Sequence, residues 1–200
     1  MKETITQFVL IVFSVVLGLY LSERIEEGKK KRESEELLAT IKSELKDNIS
    51  LMEDWVPYHI RINKNLDSLS KEPVFIEAFI ENKYIMLEQL MTRGSFMKSF
   101  PTNDAWDIAK SHPLIVNIDY DKLLILSRVY SHQENAFEPG FKMFELFESK
   151  DVNTPEDAAI NLELMSNHLH ELVARERDVI YFYRKAAEIL DLSDEEENEE

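Results

Sequence analysis

The chain has 200 residues, a formal net charge of −16 and no cysteine. Its length suits one domain, and the missing cysteine removes disulfides, thiolate metal sites and cysteine nucleophiles. The acidic balance argues against broad nucleic-acid binding, which needs a basic surface to neutralise phosphates.

The first stretch, Ile5 to Leu21, reads ITQFVLIVFSVVLGLYL and carries no charge. At ~1.5 Å per residue it covers about 25 Å, slightly less than the ~30 Å hydrocarbon core of a bilayer. Tyr20 suits the interface and the flanks can adjust the depth. A helix apolar on every face must be buried in protein or lipid. A cleaved signal peptide needs small residues before its cleavage point, and Tyr20 stands where one is required before Ser22. An uncleaved transmembrane anchor is therefore expected at residues 1–21, in contact with the lipid bilayer. Only Lys2 precedes the run, whereas Arg24, Lys29, Lys30, Lys31 and Arg32 follow it. The positive-inside tendency places the main domain in the cytoplasm, behind a single pass of the inner membrane. Ser14 and Gly18 form a small-x-x-x-small pair, which permits close helix approach in lipid.

Residues 22–37 are charged all round and read as a helical stalk. A helical bundle domain of five to six antiparallel helices is expected over 38–190. Leu38, Ile41, Leu45, Ile49, Met52 and Trp55 make one helical stripe. Pro57 is expected to kink or end that helix, since it lacks an N–H and crowds the preceding turn. Tyr58, Ile62, Leu66 and Leu69 continue the stripe. Pro73 opens a second helix, with Ile76, Phe79, Ile80, Tyr84, Leu87, Leu90 and Met91 on its apolar face and Gly94 as its stop. After a loop to Pro101, Thr102 or Asn103 caps a short helix holding Ala105, Trp106 and Ile108. His112-Pro113 ends it, and Leu114, Ile115 and Val116 form an apolar plug. Asp119 caps the next helix, whose inner residues are expected to be Leu123, Leu124, Leu126, Ser127 and Tyr130. Pro139-Gly140 interrupts, and Phe141, Phe144, Leu146 and Phe147 follow as an aromatic turn or two.

The last helix is the best specified. Thr154 is its N-cap, Pro155 its first-turn proline, and Glu156 and Asp157 suit its positive end. Ala158, Leu162, Met165, Leu169, Leu172, Glu176, Val179, Tyr183, Ala186 and Leu190 fall at alternating four and three spacings, with Glu176 the one polar intruder. This stripe suits either an intermolecular coiled coil or the core of a bundle, and flanking Leu164, Val173, Ile180, Phe182 and Ile189 widen it towards the bundle. Residues 191–200, DLSDEEENEE, read as a disordered acidic tail, solubilising or tethering a basic partner.

No catalytic constellation emerges. There is no nucleophile elbow, phosphate loop or dinucleotide glycine pattern. His168 and His170 point to different faces of one helix, so they cannot share a metal. His170 does share a face with Glu163 and Asn167. His59, His112 and His132 are scattered and read as surface or loop residues. Arg175, Glu176, Arg177 and Asp178 read as a solvated charge knot, with Glu176 able to set register against a cation. No catalytic, cofactor or metal residue is assigned.

The segments LIVFSVVLGLYLSERIEEGKKKRE and ELLATIKSELKDNI, followed by PTNDAWDIAKSHPLIVNIDYDKLLILSRVYSHQENAF, resemble a family of uncharacterised bacterial single-pass membrane proteins. Ala105, Trp106, Leu114, Ile115, Leu123 and Tyr130 stand where that pattern has a short Ala-Trp helix, an apolar step and a helix ending in tyrosine. Ser111-His112-Pro113 departs from the family's glycine turn. The resemblance covers about half the chain and implies a helical domain on a membrane anchor, with no activity attached. The expected function is a non-enzymatic, membrane-anchored interaction or scaffold module. It would hold a protein partner or a second copy of itself. The alternative is a sensor or accessory subunit, binding a small ligand or envelope component near Trp55, Trp106 and the Phe141–Phe147 cluster.

Overall fold

One helix carries the first third of the chain. α1 runs unbroken from Lys2 to Leu69, 68 residues, about 100 Å at ~1.5 Å per residue. The computed structural model describes the backbone of residues 2–148 and 154–192, and their side chains except those of 2–6, 8, 9, 83–85 and 87. After α1 come α2 (Pro73–Leu90), α3 (Asp104–Lys110), a 3₁₀ turn (Pro113–Asn117), α4 (Tyr120–Ala136), α5 (Glu138–Glu148) and α6 (Pro155–Ile189). Among the described residues there is no strand, and the fold is an all-α bundle of six helices.

The start of α1 stands clear of the bundle. From Leu10 to Leu21 its apolar side chains are exposed on every face. Ser14 returns its hydroxyl to the Leu10 carbonyl at 2.8 Å. Among the described residues no helix is long and apolar enough to cross a membrane. The uncharged run begins earlier, at Ile5, and Ile5, Thr6, Phe8 and Val9 lie outside the described side chains. On the other side it meets Glu23 and Arg24. The stretch from Ser22 to Arg32 is exposed. It carries ion pairs one turn apart: Lys30–Glu26 at 2.7 Å, Lys29–Glu33 at 3.6 Å, Arg24–Glu27 and Lys31–Glu35 at 3.9 Å. Such spacing supports a helix that has no apolar face to bury.

Packing begins at Ser34 and continues through Ile41, Leu45, Asn48, Met52, Trp55 and Val56, all buried. Of the two outcomes expected at Pro57, an end to the helix does not occur: α1 runs on through it. An internal proline costs about 3 kcal/mol. Here its neighbours Trp55, Val56, Tyr58 and His59 are buried while Pro57 faces solvent. Burial contributes roughly 1.5–3 kcal/mol for each large apolar side chain, which outweighs the lost hydrogen bond.

α2 starts at Pro73 as expected, but Asn82 leaves the helical path inside it, at φ −154° and ψ 80°. The expected inner residues Tyr84 and Leu87 lie outside the described side chains. The helix ends at Leu90, and Gly94 turns the chain at φ +73°, its N–H donating to the Met91 carbonyl at 2.8 Å. In α4 the buried face is Ile125, Leu126, Val129, Tyr130, Gln133 and Ala136. Leu124 and Ser127 are exposed, so the face is rotated from the expected one. The break before α5 falls at Phe137, ahead of Pro139-Gly140, which lie in the first turn of α5. A Cβ on Gly140 would meet Leu172 Cδ2 at 3.4 Å.

α6 is the central strut, packed on α1, α4 and α5. Its N-cap is Thr154, whose hydroxyl accepts from the Asp157 N–H at 3.1 Å. Every residue of its heptad stripe, Ala158 to Leu190, is buried within this one chain. The stripe is therefore a bundle core and not the seam of an intermolecular coiled coil. Burial continues to Leu192, two residues into the stretch expected to be tail. The rest of that stretch, 193–200, lies outside the described residues.

Candidate functional site

The residues with chemistry to offer gather where α6 crosses the second half of α1. Three contacts set the register of the crossing. Arg184 bonds Glu53, Glu176 meets His59, and His170 meets Asn63. Numbers fall on one helix as they rise on the other, so the two run antiparallel.

The middle contact is fully buried. His59 and Glu176 have no exposed surface. The His59 ring stacks on Phe96 at 4.2 Å, and its Nε2 lies 2.9 Å from the Phe96 carbonyl. A carbonyl only accepts, so Nε2 carries a hydrogen and donates it. Nδ1 lies 2.7 Å from Glu176 Oε1. That contact needs a second hydrogen, on the ring or on the carboxyl, so the pair is neutral as a unit. Glu176 Oε2 is buried without a partner. His59 is thus a core residue and not the surface histidine the sequence suggested. Glu176 leaves the supposed solvated knot, while Arg175 remains at the surface with Glu171 at 2.6 Å and Glu138 at 3.2 Å. Its partner Glu138 is held below the usual carboxylate range, chiefly by its bond to Lys142 and then by Arg175.

One helical turn beyond this pair, α1 and α6 part to leave a groove of about 330 Å³. Ile60 and Val173 form an apolar side of it. Asn63 and His170 face each other across it, Nδ2 to Nδ1 at 3.4 Å. Lys64 on α1 and Arg177 on α6 line it, and neither has an ion-pair partner among the described residues. Ser166 and Asn167 line the far end. Ser166 is only 6% exposed, yet its hydroxyl forms no hydrogen bond among the described residues. The one carboxylate of the groove, Asp67, bonds Lys71 at 2.9 Å. A cleft of this volume with a few convergent polar groups has the dimensions of a small-molecule site.

A second polar cluster is structural. The Glu44 carboxylate of α1 accepts from the backbone N–H of Ala105 at 2.8 Å and of Trp106 at 3.4 Å, and from the Tyr130 hydroxyl at 2.7 Å. It caps α3 in place of Thr102 or Asn103. The Asn103 side chain makes no cap bond, and Thr102 instead gives its hydroxyl to Glu44 at 3.3 Å. Asn48 and Gln133 both donate to the Thr102 carbonyl, at 2.7 and 2.9 Å, and Tyr183 donates to Gln133 at 2.7 Å. Burial, then the bond to Glu44, pushes the Tyr130 phenol far above its ordinary pKa, and burial does the same for Tyr183.

The aromatic residues singled out from sequence do not converge on a pocket. Trp55 is packed edge-on against Tyr58 under Arg93, and Trp106 is stacked on Tyr130 at 5.4 Å. The hollow beside Phe144 and Phe147 is about 20 Å³, room for a single water. A larger hollow of about 540 Å³ lies between the end of α1 and α2, walled mainly by Leu69, Val74, Phe75, Met86 and Leu90. Among the described residues no three His, Asp or Glu side chains gather as metal ligands. His170 lines the groove and His168 does not. His170 and Asn167 do share the groove, which the sequence placed on one face of α6. The α1 half of the groove carried no sequence signal, because its stripe was read only for apolar residues. No protein-family model matches the chain, and neither a curated protein nor a solved structure matches it.

Proposed function

We propose that this chain is a non-enzymatic helical domain, anchored by the start of α1 in a bacterial inner membrane and facing the cytoplasm, where it holds a protein partner or a second copy. The observation behind this reading is the continuity of α1, which carries both an apolar stretch exposed on every face and one wall of the bundle core. Exposed apolar surface of that extent calls for a lipid or protein cover. Counted from Ile5, the uncharged run reaches about 25 Å, short for a bilayer but workable with interfacial flanks. The charged stretch from Ser22 to Ser34 would then stand the domain roughly 20 Å off the bilayer.

The test is fractionation of cells expressing the full chain. The protein should stay in the membrane pellet through alkaline carbonate washing. A Val12→Lys/Val16→Lys double variant should move to the supernatant. Release of the unaltered chain by carbonate alone would sink the anchor, and a C-terminal reporter active only outside the cytoplasm would reverse its direction. A second reading, a sensor or accessory subunit that binds a small ligand, is favoured by the groove beside Ser166 and Arg177.

A further inference from the structure

We infer that the groove between α1 and α6 is a binding site for a small hydroxylated anion of the phosphate-ester class, such as a sugar phosphate. The inference rests on the second reading, that the domain binds a small ligand, and gives it a chemistry. It uses the membrane anchor only to separate a soluble ligand from a lipid headgroup.

Charge comes first. The chain carries −16 overall, yet two cations, Lys64 and Arg177, face this groove from opposite helices without an ion-pair partner among the described residues. In so acidic a protein, cations left unpaired on both walls of one cleft are available to an incoming anion. A guanidinium matches the oxygens of a phosphate with paired donors, and a lysine adds a point charge.

Burial comes second. Ser166 lies at the other end of the groove, more than nine-tenths buried and without a hydrogen-bond partner among the described residues. Ser166 borders the groove, so its hydroxyl is available to a polar group that enters there. Asn167 beside it and Asp67 opposite offer a donor and acceptors suited to hydroxyl groups. On α6, Ser166 and Arg177 are three turns apart, about 16 Å along the axis. A bare phosphate could engage only one end. A phosphate ester with a polyhydroxy body could engage both and rest its carbon frame on Ile60 and Val173.

Position decides the source. Lys64 lies 43 residues along α1 from Leu21, about 65 Å if the helix stands straight. Headgroups of a bilayer at the start of α1 are out of reach, so the ligand is a soluble one.

The test is calorimetric titration of the full chain in detergent with glucose 6-phosphate, inorganic phosphate and glucose. Glucose 6-phosphate should bind with a Kd below about 1 mM, inorganic phosphate more weakly, and glucose without measurable heat. Arg177→Gln should weaken glucose 6-phosphate by about tenfold or more, and Ser166→Ala by about fivefold. Arg128→Gln, an equal charge change at an exposed site on α4, should leave affinity unaltered. No heat with glucose 6-phosphate would overturn the inference, as would equal losses from Arg177→Gln and Arg128→Gln. In nanodiscs, competition by phosphatidylglycerol over phosphatidylcholine would point to a lipid headgroup and overturn it too. If another small molecule raises the melting temperature and Arg177→Gln leaves that shift intact, this site falls while the sensor reading stands.

Discussion

Glu176 is a carboxyl on an otherwise apolar seam, with no exposed surface. Its companion His59 is equally buried, and the proton they share makes the unit neutral. Taking out one member strands the other. His59→Phe should cost about 3–5 kcal/mol by leaving a lone carboxylate in the core. Glu176→Leu should cost about 1–3 kcal/mol by unpairing a ring nitrogen. The double variant His59→Phe/Glu176→Leu should recover most of both losses, since apolar replacement of a buried pair is often neutral or stabilising. Urea unfolding of the four proteins measures this cycle, and losses that simply add would remove the pair as a coupled unit. The polar intruder on the seam was visible in the sequence, whereas its partner was not. His59 follows Trp55 by four residues and precedes Ile62 by three, so it lies on the inner stripe of α1. The stripe was carried past Pro57 in the sequence, but only its apolar residues were read, and that hid the histidine.

At the scale of elements, α3 is the clearest case of a helix built by its neighbours. It has seven residues, too few to hold alone in water. Its first N–H groups are taken by Glu44 of α1, and Tyr130 of α4 donates to the same carboxylate. Tyr183 of α6 joins through Gln133 and the Thr102 carbonyl. The short helix and its capping loop were legible, but the identity of the cap was not, because Glu44 is distant in sequence. The tyrosines give this junction a pH signature. Both phenols are raised above their ordinary value in the fold. Below about pH 10, phenols in the folded and unfolded chains alike hold their protons and this stabilisation is complete. Above that pH the unfolded chain releases them while the fold retains them. Stability should then fall by about 1.4 kcal/mol per pH unit for each tyrosine. Urea melts between neutral and strongly alkaline pH should show the slope easing in Tyr130→Phe and again in Tyr130→Phe/Tyr183→Phe. Slopes identical to the unaltered chain would mean that these hydroxyls are not held as donors.

At the scale of the molecule, α6 is enclosed by α1, α4 and α5, and α1 extends out of the bundle at its start. The enclosure was partly legible. The heptad stripe of α6 was read residue for residue, and its width already leaned towards a core. The spacing alone could not separate a seam inside one chain from a seam between chains, since both obey the same pattern. Substitution on the seam separates the two by outcome. Leu169 is fully buried, and Leu169→Asp places an unpaired carboxylate among apolar side chains, a change the bundle cannot accommodate without opening. With the seam filled from within, the variant should lose its helical circular dichroism and its cooperative melt. Leu164→Asp, at a position 41% exposed on the same helix, should retain both. Were the seam an interface between copies, Leu169→Asp would instead remain helical and fall from oligomer to monomer in detergent. Mass by light scattering, read beside the circular dichroism, therefore separates a domain that closes on itself from one that closes on a second copy. Any self-association that survives Leu164→Asp then has to use a surface other than this seam.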